Sequence, residues 1–194
     1  MHLGIFDQPE KNEFSNGLLE AHPSLEAKGR GGKEGLAPMG KDSKAILDAM
    51  KVMKEFELTV AELYRTCNSL WPEDDALWKN LEQAEMRHAE TVDKMISILS
   101  ERPDFFEPNR LFKPAAVRTS ILGIRGDIER LKRREIPKNK ILFIARDLEQ
   151  SVIESKYFEV VKGRDVEYQN MIEEMRIDTM AHRDELNKKI EETK

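Results

Sequence analysis

Residues 78–99 read WKNLEQAEMRHAETVDKMISIL, and they place Trp78, Leu81, Glu85, His88, Val92, Met95 and Leu99 at alternating intervals of three and four. That interval keeps all seven side chains on one stripe of a helix that faces other helices. Five of the seven are apolar or aromatic. The other two, Glu85 and His88, lie one turn apart in the middle of the stripe, where both would leave water. Burying even a neutral polar group without a partner costs on the order of 2 to 7 kcal/mol, so the chain should supply these two with a countercharge or a metal.

Glu-x-x-His on an inward helix face is one way that helical bundles bring ligands to a pair of metal ions. The remaining ligands should then come from other helices. The composition permits such a bundle: 194 residues are ample for a core, and 36% charged and 39% hydrophobic residues with only eight prolines and ten glycines fit a soluble helical chain. A net charge of −5 gives no electrostatic reason to expect nucleic acid or an anionic membrane as partner. The apolar runs are too short to span a bilayer, and the N-terminus lacks the basic-then-apolar pattern of a signal peptide. A single cysteine, Cys67, excludes an internal disulfide and a thiolate iron or zinc site, so the cytoplasm is the expected compartment.

Working outward, residues 1–41 form an expected flexible extension with one short helical turn around Phe14 to Leu19, five glycines being crowded between Gly29 and Gly40. Gly35-Leu-Ala-Pro-Met-Gly40-Lys41 has the spacing of a phosphate-binding loop. Asp42 follows where a Ser or Thr would hold magnesium and no apolar strand precedes it, so the match is read as chance. Residues 42–194 are expected to be the helical domain, with helices at about 43–70, 76–100, 114–134, 137–161 and 166–191. The first, capped by Asp42 or Ser43, carries the seam Ile46, Met50, Met53, Glu57, Val60 and Tyr64, with Glu57 its one carboxylate. Tyr64 is expected in the core with its hydroxyl tied to a glutamate. The Trp71-Pro-Glu-Asp-Asp75 turn reverses the chain, so Glu57 and Glu85 can meet at one depth. The 114–134 helix has no ligand-type residue in its seam of Val117, Ile121, Ile124, Ile128 and Leu131, and ends in the basic Lys132-Arg133-Arg134. It reads as a crossover.

The second half repeats the first. Glu149 shares a face with Leu142, Ala145, Val152 and Ile153, and His182 lies on a seam with Ile172, Met175, Thr179, Leu186 and Ile190. Glu57-Leu-Thr-Val60-Ala-Glu62 aligns with Glu149-Gln-Ser-Val152-Ile-Glu154, and Glu85-Met-Arg-His88 with Thr179-Met-Ala-His182. Each half therefore offers a glutamate from its first helix and a histidine from its second.

The segment Glu57 to Tyr64 (ELTVAELY), the Trp-Pro-Glu turn and Glu85-Met-Arg-His88-Ala resemble the rubrerythrin branch of the ferritin-like superfamily, over about residues 42–191. The resemblance implies an antiparallel four-helix bundle with an extra crossover helix, holding two iron (or manganese) ions and acting as an oxidoreductase on peroxide or dioxygen. By the same resemblance, Glu57 and Glu149 are terminal carboxylates, Glu85 is a bridging one, and His88 and His182 are nitrogen ligands. Such bundles often form homodimers. Two departures stand out. Thr179 occupies the place of the second bridging glutamate, with Glu154 and Asp178 as the nearby candidate carboxylates to replace it. The four-thiolate rubredoxin module is absent, so electrons would come from an external donor. The alternatives are a bundle that keeps the fold without the centre, serving as a binding or structural module, and a single-metal site built from the first hairpin and His182.

Overall fold

Each of the expected seams folds as a helix in the computed structural model, which describes residues 41–108, 114–154 and 161–193. The helices are α1 (Lys41–Leu70), α2 (Asp75–Glu101), α3 (Pro114–Lys132), α4 (Lys138–Glu154) and α5 (Val166–Glu192). The described residues all belong to one compact unit, and they are predominantly helical, as expected. The proposed extension, its turn at Phe14 to Leu19 and most of the discarded phosphate-loop match lie outside the described residues.

Three boundaries differ from expectation. Asp42 and Ser43 lie within α1 and so do not cap it. Residues 155–160 fall outside the description and Val161 is already a strand residue, so the fourth helix does not run to Val161. α3 stops at Lys132, because Arg134 takes a left-handed backbone with φ of 58°. There the Glu135 amide donates to the Arg130 carbonyl at 2.9 Å and the Arg134 amide to that of Leu131 at 2.8 Å, a closing loop that satisfies orphan carbonyls at the helix end.

Ion pairs fix the direction of the rods. Arg118 and Arg125 both reach Glu55, at 3.9 and 3.0 Å, and Lys132 reaches Glu62 at 3.7 Å, so α3 runs parallel to α1. Both series advance by seven residues, the repeat at which two helices keep facing each other. Pairs this exposed contribute about 0 to 1 kcal/mol each, so they select register more than stability. Stability at this contact comes instead from Ile121, Ile124, Ile128 and Leu131, all buried. The basic end of the helix is neutralised: Lys132 also pairs with Glu129, and Arg133 with Glu135.

At one end of the molecule, buried Asp74 in the α1–α2 turn binds Lys138 at 2.5 Å and Lys189 at 2.7 Å. It thereby ties the start of α4 and the end of α5 to the first hairpin. At the other end Arg102, just past α2, donates to Asp165 at 2.6 Å, and Asp165 caps α5 by accepting from the Tyr168 amide at 3.1 Å. Consequently α1, α3 and α5 point one way, and α2 and α4 the other. The space between is filled by Met50, Met53, Tyr64, Trp78, Leu81, Met95 and Leu99, all fully buried.

A short antiparallel ribbon, β1 (Phe106–Pro108) with β2 (Val161–Gly163), was not expected. Phe106 stands opposite Gly163 and packs edge-on against Tyr168 at 5.1 Å. A Cβ at residue 163 would lie 2.6 Å from the Phe106 ring, which is why glycine sits there. Among the described residues no helix is long and apolar enough to cross a membrane.

Candidate metal centre

Because the inward stripe of each helix is set by its apolar neighbours, whatever polar residue shares that stripe is carried into the core. Glu57 on α1, Glu85 and His88 on α2, Glu149 on α4 and His182 on α5 are all buried, 3 to 7% exposed. They fall into two groups. Glu57, Glu85 and His88 form one, Glu85, Glu149 and His182 the other, and within each the candidate ligand atoms all lie within 4.8 Å of one another. Each group could hold a metal ion. Glu85 belongs to both.

The distances show how Glu85 is shared. Its Oε2 is 3.2 Å from His88 Nδ1, and its Oε1 is 3.0 Å from His182 Nδ1. His182 Nδ1 also lies 3.9 Å from Glu149 Oε1, and the two imidazole rings are 5.6 Å apart at 32°. The pseudo-repeat read from the sequence thus brings His88 and His182 side by side. Glu85 Oε1 and His182 Nδ1 face each other at 3.0 Å and His88 Nε2 faces Asp178 Oδ2 at 3.5 Å, yet none of these three buried atoms makes a well-formed hydrogen bond. Three such atoms in one cluster are unusual, since buried polar groups are ordinarily satisfied, and a bound cation is one thing that satisfies oxygen and nitrogen lone pairs together.

Burial drives the Glu85 carboxyl upward, but the facing imidazoles of His182 and His88 outweigh it and hold the group well below the usual carboxylate range. Glu149 goes the other way. Burial and the Glu85 charge raise it well above the ordinary value despite the Tyr64 hydroxyl, which donates to Glu149 Oε1. Burial lowers His88, yet Glu85 and then Asp178 raise it above the normal imidazole value. The cluster therefore carries one firmly ionised carboxylate at its centre and one reluctant carboxylate at its edge.

The second-rank candidates do not join the two groups. Glu154 is exposed at the end of α4 and accepts from Gln150 at 2.5 Å. Asp178 is half-exposed, and its Oδ2 lies 3.5 Å from His88 Nε2, on the far side of the ring from Glu85. A carboxylate behind a ligating imidazole fixes its tautomer and orientation. Thr179 is buried at 3% exposure on the seam, and its hydroxyl donates to the Met175 carbonyl at 2.9 Å. One residue of helix rotates a side chain by about 100°, which is why Asp178 reaches the outer edge of His88 rather than the interior. Tyr64 is tied to a glutamate as expected, and Trp78 packs on it with ring centroids 6.0 Å apart. Sequence spacing signals a buried tyrosine but cannot say that its partner is Glu149 on another helix.

No protein-family model, curated protein or solved structure matches the chain.

Proposed function

We propose that this chain is a ferritin-like, rubrerythrin-like four-helix bundle, with α3 as its crossover helix, that binds two iron or manganese ions and acts as an oxidoreductase on peroxide or dioxygen. The observation that carries the proposal is that two three-residue ligand groups share Glu85. In this reading Glu85 would be shared by both ions, Glu57 and His88 would complete the ligands of one, and Glu149 and His182 those of the other. The donor set is carboxylate and imidazole, which suits iron and manganese. Bound there, the pair of ions would supply two-electron redox chemistry.

The remaining work falls to the protein's own groups. Trp78, Leu81 and Val92, fully buried on the same stripe as Glu85, keep bulk water from the ligands. Tyr64 holds the carboxyl of Glu149 in place through Oε1, the oxygen that also faces His182. Asp178 orients His88 and, being half-exposed, connects that ring to solvent. With only Cys67, itself buried, the chain has no thiolate iron site of its own, so an external donor provides electrons.

Metal analysis of full-length protein purified without chelator tests the proposal. About two ions per chain support it; one supports the single-metal alternative, and none supports a bundle that works as a binding or structural module. Glu85→Ala should abolish binding at both positions, and unchanged metal content would contradict the bridge.

A further inference from the structure

The two halves of the repeat are not equivalent at one position. Glu85 stands three residues before His88, and Thr179 stands three residues before His182, on the same inward stripe. Thr179 is buried, 3% exposed, and its hydroxyl is spent on the Met175 carbonyl at 2.9 Å. Its proton is thereby committed to the backbone of α5 and, as a neutral hydroxyl, it brings no negative charge to the site, while Asp178 stays on the outer edge of His88.

Coordination and charge both run short as a result. Glu57, Glu85, Glu149, His88 and His182 offer at most eight donor atoms, whereas two ions of roughly octahedral preference take about twelve. Two divalent ions also carry one more positive charge than three carboxylates neutralise, and uncompensated charge in a buried site is costly. What distinguishes glutamate from threonine beyond Cβ is a carboxylate group, so the missing component has the size and charge of a small free carboxylate. Solvent lies close by, because half-exposed Asp178 touches His88.

We infer that the protein binds a small monocarboxylate, of formate or acetate size, beside Thr179, where it takes the bridging place that a glutamate side chain would fill. This rests on the two-ion reading given above. Metal and carboxylate then bind cooperatively, each raising the affinity of the other by the same factor.

The test is calorimetric titration of manganese(II) into metal-free, full-length protein under argon, with and without 10 mM formate, in a non-coordinating buffer. In the wild-type chain formate should raise the affinity for the second ion by about tenfold. Thr179→Glu should bind two ions tightly without formate and show no response to it. Thr179→Leu, which fills the same space without charge, should bind the second ion weakly whether formate is present or not. It decides the matter if the glutamate variant does not fold. Two ions bound by the wild-type chain with no formate response overturns this inference and leaves the two-ion reading standing, as does an equal response in Thr179→Glu or Thr179→Leu. A wild-type chain that binds neither manganese nor ferrous iron overturns both.

Discussion

Glu149 is the residue whose behaviour separates a metal-ligating role from a purely structural one. Its carboxyl is buried, faces the Glu85 charge and accepts from Tyr64, and burial with that charge raises it well above the ordinary carboxylate range. Glu149→Gln should accordingly change the stability of metal-free protein by less than about 1 kcal/mol, since an amide keeps the shape and the acceptor for Tyr64. The same substitution should weaken metal binding at least tenfold, because the amide is a poorer ligand and cannot ionise. Chemical denaturation of chelator-treated protein and metal titration check the two halves, and a large loss in the first with none in the second would assign Glu149 to packing. The presence of Glu57, Glu85, His88, Glu149 and His182 on inward stripes is legible in the sequence, since apolar neighbours at three and four residues define those stripes. The part played by Asp178 is not, because it depends on where an imidazole of another helix ends.

At the scale of the element, helix ends are where local sequence and structure diverge. Arg134 closes α3 in a left-handed conformation that a side chain with a Cβ adopts at a cost of roughly 1 to 2 kcal/mol. Arg134→Gly should therefore stabilise the fold by about 0.5 to 1 kcal/mol after the greater freedom of glycine in the unfolded chain is subtracted, read as a raised denaturation midpoint. A loss of stability would mean that the arginine side chain contributes more than its backbone costs. The basic run Lys132-Arg133-Arg134 suggests a longer helix when taken alone, and only the tertiary turn into Pro137 reveals where it stops. The ribbon of β1 and β2 was illegible for a similar reason. Three-residue strands have no periodicity to detect, and their pairing joins segments far apart in sequence.

For the molecule as a whole, Asp74 is the group that joins both hairpins at one end, through Lys138 and Lys189. Burial alone would raise its carboxyl, but hydrogen bonds and charge from the two lysines prevail and lower it below the usual aspartate value. A carboxyl depressed in the folded state adds stability above its unfolded pKa of about 3.9, and that contribution is lost as pH falls through the folded value. Asp74→Asn should thus lose about 1 to 2 kcal/mol at pH 7. The gap between variant and wild type should narrow below about pH 4, as urea denaturation at pH 7 and pH 3 would show. A gap independent of pH would point to shape rather than charge. Nothing in the Trp71-to-Asp75 turn announces these partners, because both lysines lie more than sixty residues further along the chain.

The arrangement of the whole molecule has its sharpest test in the number of metal ions it holds. Full-length protein, stripped with chelator and titrated anaerobically with ferrous iron, should saturate at two ions per chain. Glu85→Ala should fall to none, because both ligand groups use that carboxylate. Saturation at one ion, with a Glu85→Ala variant that still binds it, would contradict a centre shared between the two hairpins.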